Sequence, residues 1–306
     1  MNDLDGATIL VTGGAGFIGS HIVDRLVNTA DVRVLDHFVT GDPEDVPDAA
    51  TVIEGSITDA HSLRRAINGV DVVFHKAAQT NFARSMEEPR QSHATNVDGT
   101  LAVLDAAREE GARTIVASSA AAYGPPERIP IRESDQLSPT SPYGIEKLTV
   151  DHYARIYASI YDQDVVALRY FNVYGRQGVA GDYASVIASF LDQIRDGDPI
   201  TIHGDGTQIR DFVHVDDVVD ANLLAAETAA VGEAYNIGTG SPTTINELAE
   251  ICKQVTDSDV EILHDDTRQG DIEHSQADIS KARSELGYEP TVSLNEGLAR
   301  LVSARS

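Results

Sequence analysis

The sequence predicts an α/β fold in which helices cover both faces of a parallel sheet. Short β-branched runs alternate with amphipathic stretches through the first half of the chain, and a glycine-rich turn joins the first run to the first amphipathic stretch. The sequence has no fixed-period repeat of the kind that indicates a solenoid or a propeller. Parallel strands need crossover connections, and the crossover helices lie on the two faces of the sheet.

Each predicted element follows from its hydrophobic pattern. Apolar runs predict buried strands at Thr8–Thr12, Val32–Leu35, Asp71–Phe74, Thr114–Ala117 and Val165–Leu168. Amphipathic stretches between these runs predict helices at Gly16–Asn28, Ala60–Asn68, Gln91–Glu110 and Tyr143–Tyr161.

The chain changes character after about residue 172. Loops lengthen, Gly, Pro and Asp become denser, and helical patterns continue at Ala184–Arg195, Asp216–Ala230, Ile245–Val255 and Ile279–Leu286. We therefore expect a main domain over residues 1–172 and a smaller α/β lobe over residues 173–306. One or two strands of the lobe are expected to return to the main sheet, which makes the boundary soft.

Acidic side chains dominate the charge of the chain. Asp and Glu total 49 against 23 Lys and Arg, which gives a formal net charge of −26. Such a field repels polyphosphate backbones, so nucleic acids and anionic membranes are poor partners. Two interpretations remain open, a halophilic protein whose acidic surface keeps it soluble in salt and an ordinary acidic cytosolic protein.

The sequence carries no pattern typical of a secreted or membrane-spanning protein. No apolar run approaches the length of a membrane span, and the N-terminus lacks the basic and then apolar order of a signal peptide. The single cysteine, Cys252, excludes an internal disulfide and a cysteine metal cluster. We expect a cytoplasmic enzyme without a metal site.

The glycine-rich turn predicts a dinucleotide site. Gly13, Gly16 and Gly19 follow the first strand and open the first helix. The first glycine permits the tight turn, the second lets the backbone approach a pyrophosphate, and the third lets helix and strand pack closely. Asp36 ends the next strand, where a carboxylate accepts hydrogen bonds from a ribose hydroxyl and repels the extra phosphate of NADP. The pattern therefore favours NAD.

A tyrosine and a lysine form the second motif. Tyr143 and Lys147 are four residues apart at the start of a predicted helix, so they share one helix face. A free tyrosine has a pKa of about 10, and a neighbouring ammonium favours the phenolate, which can act as a base. Ser118 and Ser119 follow the strand Thr114–Ala117 at its carboxyl end, where ligands bind in open parallel sheets.

Together these motifs resemble the extended short-chain dehydrogenase/reductase family, which includes NAD-dependent nucleotide-sugar epimerases and dehydratases. Within that family the chain is most similar to the UDP-glucose 4-epimerase branch. The similarity extends over nearly all 306 residues and includes the segments His75–Gln79, Asn96–Thr100, Leu168–Gly175, Gly204–Phe212, Tyr235–Gly238 and Arg268–Asp271. It implies a Rossmann-type doubly wound sheet that binds NAD and a smaller C-terminal α/β substrate-binding lobe.

The resemblance also implies roles for individual residues. Tyr143 would remove the proton of a sugar hydroxyl, Lys147 would hold the nicotinamide ribose and tune Tyr143, and Ser119 would be the catalytic hydroxyl. The implied cofactor cleft comprises Gly13, Gly16, Phe17, Ile18, Gly19, Asp36, His37, Ser56, Ile57, Lys76, Ala77, Ala78, Gln79, Thr80, Asn96, Tyr143, Lys147 and Phe171. The family usually has an aspartate at the position of Ser56.

Contacts to a nucleotide sugar follow from the same resemblance. They are implied for Ser119, Asn172, Arg210, Arg268, Asp271 and Ser275. Arginine pairs bidentately with phosphate oxygens, and a chain with a net charge of −26 needs local arginines to attract an anionic substrate. Ser275 occupies the position that gates the 2-position of the sugar in the family. A small residue there leaves room for an N-acetyl group.

The reaction implied is epimerisation of a nucleotide sugar. NAD⁺ takes a hydride from a ring carbon while Tyr143 takes the hydroxyl proton, the ketone turns, and the hydride returns to its other face. Dehydratases of the family carry an acidic residue just after the catalytic Ser/Thr, where this chain has Ala120 and Ala121. A 4,6-dehydratase or decarboxylase and a sugar dehydrogenase or reductase remain alternatives. A non-enzymatic cofactor sensor is disfavoured, because the serine, the tyrosine and the lysine are all present.

A homodimer is also expected. Related enzymes pair two long helices from each subunit into a four-helix interface. The two long helical stretches of this chain carry apolar residues that suit such an interface, Leu101, Leu104, Ile156 and Ile160.

Overall fold

A seven-stranded parallel sheet forms the centre of the protein. The computed structural model describes residues 4–176, 186–267 and 272–305. Its strands are β1 Thr8–Thr12, β2 Asp31–Asp36, β3 Thr51–Glu54, β4 Val72–His75, β5 Arg113–Ser119, β6 Val165–Tyr170, β7 Asn172–Tyr174, β8 Ile200–His203, β9 Ile209–His214, β10 Ala234–Ile237, β11 Pro242–Thr244 and β12 Ile262–Asp265. The main sheet has the order β10-β6-β5-β4-β1-β2-β3. This is the strand order of a Rossmann-type doubly wound sheet with one additional strand, as the sequence predicts.

Helices connect these strands and cover both faces of the sheet. They are α1 Phe17–Leu26, α2 Ala60–Ile67, α3 Phe82–Glu87, α4 Pro89–His93, α5 Gly99–Glu110, α6 Pro142–Tyr161, α7 Val186–Asp196, α8 Val215–Glu227, α9 Ile245–Thr256, α10 Ser280–Leu286 and α11 Leu294–Arg305. A π-helical turn, Ala94–Asp98, joins α4 to α5. No helix of the described residues is both long and apolar enough to cross a membrane.

Apolar packing fixes which helix lies on which face. On one face, α1 and α8 bury residues such as Ile22 and Val218 against β1, β4 and β6. On the opposite face, α2 and α5 bury Leu63 and Val103 against β1, β2 and β4, and α6 buries Val150 against β5 and β6. The sheet is therefore a buried central layer, and its carboxyl edge remains the place where ligands can approach.

Residues after 172 contribute to two cores. A second core joins α7, α9 and α11 to β8 and β9 through residues such as Phe190, Leu248 and Leu298. A three-stranded sheet, β11-β9-β7, and a two-stranded sheet, β12-β8, belong to this region. The strand β10, in contrast, pairs with β6 and extends the main sheet.

The sequence analysis did not predict several elements, among them the helix α11, the individual strands after β6, the strand β3 and the short helix α3. The strand β3 is an edge strand of the sheet with mostly exposed residues, so it has no apolar run to reveal it. The short helix α3 was also missed. The predicted helix Gln91–Glu110 is interrupted by the π-helical turn Ala94–Asp98, which hydrophobic periodicity does not reveal. The first two residues of the predicted helix Ala184–Arg195 lie outside the described residues.

Candidate active site

Two cavities open at the carboxyl edge of the main sheet. The turn-side cavity, of about 430 Å³, is bordered by the turn after β1, the end of β2 and the segment after β4, with Gly13, Asp36 and Gln79 among its lining residues. The lobe-side cavity, of about 870 Å³, lies between the ends of β5 and β6 and the smaller sheets, with Ser119, Asn172 and Arg210 among its lining residues. Both have the size of a cleft for a small organic ligand.

Backbone geometry requires glycine in the turn after β1. Gly13 has a φ of +69°, and a Cβ on it would lie 2.6 Å from the backbone nitrogen of Ala77. A Cβ on Gly19 would overlap the carbonyl oxygen of Gly13. Gly16 lines the turn-side cavity and precedes α1 as its N-cap residue. The amide groups of the first helical turn can therefore bind an anion. The anion would occupy a cradle formed by Gly13, Gly16 and Gly19, which a side chain at these positions would fill.

Asp36 fixes the turn from the neighbouring strand. Its carboxylate accepts hydrogen bonds from the backbone amides of Ala15, at 3.0 Å, and Phe38, at 2.9 Å. Burial by itself would raise the pKa of Asp36, but the hydrogen bond with His37 and those from the two amides outweigh it and hold the pKa below its ordinary value. A carboxylate that stays ionised at the rim of this cavity suits a ribose hydroxyl and disfavours an added phosphate.

Most of the predicted cofactor residues lie together around the turn-side cavity. Those that line it are Gly13, Gly16, Asp36, His37, Ser56, Ile57, Lys76, Ala77, Ala78, Gln79 and Thr80. Phe17, Ile18 and Gly19 lie in the first turn of α1. Asn96 is buried behind Gln79 and donates to its carbonyl oxygen at 2.8 Å. Phe171 lines the lobe-side cavity instead.

A buried histidine supports the segment after β4. Thr100 donates its hydroxyl proton to the carbonyl oxygen of Asn96, so its oxygen accepts from Nε2 of His75 at 2.9 Å. The other ring nitrogen, Nδ1, then accepts from the hydroxyl of Thr12 at 2.7 Å. Burial lowers the pKa of His75 to about 3, and the charges of Lys147 and Lys76 add to that effect. His75 is therefore neutral and acts as a spacer between two threonines.

The Tyr143 and Lys147 pair lies on the first turns of α6. The ammonium of Lys147 is 5.8 Å from the centre of the Tyr143 ring and donates to the carbonyl oxygen of Ala117 at 2.8 Å. Burial lowers the pKa of Lys147 to about 8, and the charge of Glu146 opposes the shift. The lysine is therefore still a cation at neutral pH, close enough to the tyrosine ring to favour its phenolate.

Ser119 ends β5 two residues beyond the carbonyl that Lys147 contacts. It lines the lobe-side cavity, and its hydroxyl oxygen accepts from the backbone amide of Ala121 at 3.1 Å. Ala120 and Ala121 line the same cavity. Their methyl groups cannot transfer protons, so this stretch offers a serine hydroxyl and no acid.

The lobe-side cavity brings together all the described residues that were predicted to contact substrate. These are Ser119, Asn172, Arg210 and Ser275. The predicted contacts Arg268 and Asp271 lie outside the described residues. The backbone amide of Ser275 donates to the carbonyl oxygen of Ile209 at 3.0 Å, next to Arg210. The segment around Ser275 therefore runs directly alongside β9.

A buried carboxylate holds β9 in place. Asp211 accepts hydrogen bonds from the backbone amides of Thr239, Gly240 and Ala277 at 2.7, 2.9 and 3.1 Å. Burial raises the pKa of Asp211 in spite of these bonds. The neighbouring Arg210 is therefore carried by a strand that is tied to two later segments of the chain.

Sequence reasoning missed several lining residues. In the turn-side cavity these include Thr58, Arg84, Gln91 and Thr95. In the lobe-side cavity they include Phe82, Gln193, Thr201, His203, Gln208 and His274. Polar residues on the short helical segments after residues 76–80 were a usable signal for Arg84, Gln91 and Thr95. The second group is spread over α3, α7, β8 and two connecting segments and carries no local signal.

The fold and the site define a class of enzyme. A Rossmann-type sheet, a glycine turn facing an ionised Asp36, and a Tyr143/Lys147 pair beside Ser119 characterise dinucleotide-dependent enzymes of the extended short-chain dehydrogenase type. The sequence profile of the NAD dependent epimerase/dehydratase family matches residues 9–238. The chain belongs to this family, and its cofactor is NAD.

Known proteins are similar over almost the whole chain. A putative UDP-glucose 4-epimerase of Methanocaldococcus jannaschii is 42% identical and covers 96% of this chain and 97% of its own. The UDP-glucose 4-epimerase of Thermotoga maritima, solved with UDP-glucose, has a TM-score of 0.92, 42% identity and 97% coverage of both chains. The UDP-N-acetylglucosamine 4-epimerase of Methanobrevibacter ruminantium, solved with UDP-N-acetylmuramic acid, has a TM-score of 0.93, 36% identity and 98% coverage of both chains.

The glycine turn yields a first prediction. The variant Gly13→Ala should lose NAD affinity at least about tenfold, because its Cβ would lie 2.6 Å from the Ala77 nitrogen and displace the segment that lines the cavity. Calorimetric titration of cofactor-stripped protein with NAD measures the effect. The matched control is Gly69→Ala, which has nearly the same backbone strain at a φ of +68° but meets no atom within 4 Å. Equal NAD affinity in the two variants would contradict the prediction that the space beside Gly13 is needed for binding NAD.

Proposed function

We propose that the protein is an NAD-dependent 4-epimerase of UDP-sugars that acts on UDP-glucose and UDP-galactose and also on UDP-N-acetylhexosamines. The observation that carries the proposal is the arrangement at the end of β5. Lys147 binds the carbonyl oxygen of Ala117, Ser119 follows two residues later in the lobe-side cavity, and Tyr143 lies one helical turn before the lysine. The similarity to 4-epimerases over the full chain supports the same reaction.

The residues of the site divide the chemistry between them. Tyr143, as the phenolate, accepts the proton of the sugar hydroxyl when the carbon is oxidised and returns it when the carbon is reduced. Lys147 stabilises that phenolate through its charge, and Ser119 donates a hydrogen bond to the same sugar oxygen. NAD, when bound, supplies the redox chemistry of the reaction. The glycine turn and Asp36 hold its diphosphate and adenosine ribose.

The two parts of the chain have separate tasks in this proposal. Residues 1–172 bind NAD, and residues 173–306 bind the nucleotide sugar, with β10 shared with the main sheet. Asn172 and Arg210 contact the diphosphate side of the substrate. We assign the same role to Arg268 and a role in steadying it to Asp271, on the resemblance of their sequence segment alone.

Two alternatives within the family are less well supported. A 4,6-dehydratase or decarboxylase needs a side chain that moves a second proton, and Ala120 and Ala121 occupy the positions after Ser119 in the lobe-side cavity. A dehydrogenase or reductase would release its cofactor after each turnover. An epimerase has no net redox change and keeps NAD bound, so the two differ in NAD retention during gel filtration.

Loss of the tyrosine hydroxyl gives the second prediction. Tyr143→Phe should lower kcat for interconversion of UDP-glucose and UDP-galactose by at least about 10²-fold, because general base catalysis contributes that much. NAD should remain bound, as measured by absorbance after gel filtration. The control Tyr153→Phe, on the same helix, should keep nearly full activity. A Tyr143→Phe variant within a few-fold of the wild-type rate would contradict the assignment.

Substrate breadth gives the third prediction. Ser275 lines the lobe-side cavity, and a tyrosine there would fill the space that an N-acetyl group needs. Ser275→Tyr should therefore lower kcat/KM for UDP-N-acetylglucosamine at least about tenfold and spare UDP-glucose, since overfilling a pocket costs about 1–3 kcal/mol. Ser303→Tyr, on the exposed side of α11, is the control. Equal losses for both substrates would show that Ser275 is not the gate.

We also propose a homodimer formed through α5 and α6. Ile156 and Ile160 of α6 are 42% and 67% exposed, which supports an interface there, whereas Leu104 of α5 is fully buried in the core and is not available. The variant Ile160→Glu should convert the dimer to a monomer at micromolar concentration in light scattering. Leu263→Glu, at an exposed leucine on β12, should not. A wild-type protein that already scatters as one chain would refute the dimer.

The net charge of the chain predicts that its stability depends on salt concentration. We propose that the net charge of −26 reflects a salt-adapted, halophilic protein. Raising KCl from 0.1 to 1 M shortens the Debye length from about 10 to about 3 Å and should raise the melting temperature by relieving repulsion among carboxylates. Differential scanning calorimetry across that range provides the test. A melting temperature that falls or stays constant would refute salt adaptation.

A cytoplasmic location stays a prediction from the sequence.

A further inference from the structure

Glu146 is a buried carboxylate that the proposed chemistry does not use. It stands beside Lys147 on α6, and only 3% of its surface is exposed. Its Oε2 atom accepts hydrogen bonds from Nδ2 of Asn96, at 2.6 Å, and from the hydroxyl of Ser92, at 2.8 Å. Both partners are neutral. Burying a carboxylate costs free energy, which charge-assisted hydrogen bonds of this kind offset.

Asn96 connects Glu146 to the wall of the turn-side cavity. Its Oδ1 accepts from the backbone amide of Gln79 at 2.7 Å, and its Nδ2 donates to the backbone carbonyl of the same residue at 2.8 Å. Gln79 lies in the segment 76–80, all of which lines that cavity. Asn96 itself lies in the π-helical turn Ala94–Asp98, a type of distortion often found at functional sites.

The Glu146 carboxylate and the backbone of Gln79 select the same orientation of the Asn96 amide. A carboxylate only accepts hydrogen bonds, so Nδ2 of Asn96 must face Glu146 and Oδ1 must face away from it. The reversed amide would place Oδ1 against two acceptors, the Glu146 carboxylate and the Gln79 carbonyl. With Glu146 in place, the side chain of Asn96 therefore has one orientation that satisfies both backbone groups of Gln79.

We propose that Glu146 is a positioning residue that orients Asn96 and thereby holds the segment 76–80 in the shape that binds NAD. It links α6, which carries Tyr143 and Lys147, to the wall of the cofactor cavity. The inference rests on the NAD site and is independent of the sugar and of the reaction.

Exchange of the cofactor tests this role directly. Holoenzyme is mixed with excess radiolabelled NAD, and the rate at which label enters the protein gives the rate of NAD release. Glu146→Ala should release NAD at least about tenfold faster than wild type, because Asn96 loses its charged partner on α6 and keeps only its contacts with Gln79 and Ser92. Glu146→Gln should stay within about threefold, because the amide oxygen can still accept from Nδ2.

Two controls accompany the exchange experiment. Glu109→Gln removes one carboxylate from the exposed face of α5 and should exchange at the wild-type rate. Calorimetric binding of UDP should be unchanged in every variant, which shows that the fold and the lobe-side cavity are intact. An alanine variant that exchanges as slowly as wild type, or a glutamine variant that exchanges as fast as alanine, overturns the proposal.

A second pair of variants decides the matter if Glu146→Ala does not fold. Asn96→Asp places a carboxylate against Glu146 and should release NAD quickly. Adding Glu146→Gln to it supplies an amide donor for that carboxylate and should slow the release again. If adding Glu146→Gln to Asn96→Asp does not slow NAD release, the proposal is overturned. None of these measurements requires turnover, so a failure of the proposed epimerase activity would not affect them.

Discussion

The contact between the Lys147 ammonium and the Ala117 carbonyl positions the three side chains of the proposed catalytic group relative to one another. The strand β4 ends at His75, opposite Val116, whereas β5 continues to Ser119. The lysine donates to a carbonyl at this overhanging end and so fixes α6 against the sheet. Because Tyr143 precedes the lysine by one turn and Ser119 follows the carbonyl by two residues, this one hydrogen bond relates both positions. Its cost is the desolvation that lowers the pKa of Lys147 to about 8.

Two of the four lysines of this acidic chain lie at the carboxyl edge of the main sheet. The net charge is −26, yet Lys147 is buried there and Lys76 is half-buried. Lys76 donates to the Ile115 carbonyl at 3.2 Å and to the Tyr170 hydroxyl at 3.0 Å, and burial, followed by the charge of Lys147, lowers its pKa well below the ordinary value. Because the chain as a whole is strongly negative, attraction of an anionic ligand to this edge depends on local cations.

Local patterns explain which parts of the structure the sequence predicted. The strand β1 was predicted with its exact bounds, and the Tyr143/Lys147 pair was placed correctly on one helix face, because each depends on neighbours within a few residues. The contacts of Glu146 were not foreseen, since its partners lie 50 and 54 residues away in sequence and become neighbours only when α6 packs against the π-helical turn. The edge strand β3 was missed for a related reason, because its pairing with β2 and not an apolar run defines it.

The anchoring of Asp211 bears on the order in which the two cavities can form. All the residues that line the turn-side cavity lie between Gly13 and Thr95. The lobe-side cavity depends on a carboxylate whose amide partners extend to Ala277, 66 residues further along the chain. A ribosome that has made the residues lining the turn-side cavity has therefore not yet made the segment around Ala277, which holds β9 beside the lobe-side cavity. During synthesis, the residues that line the turn-side cavity are therefore complete well before those that close the lobe-side cavity.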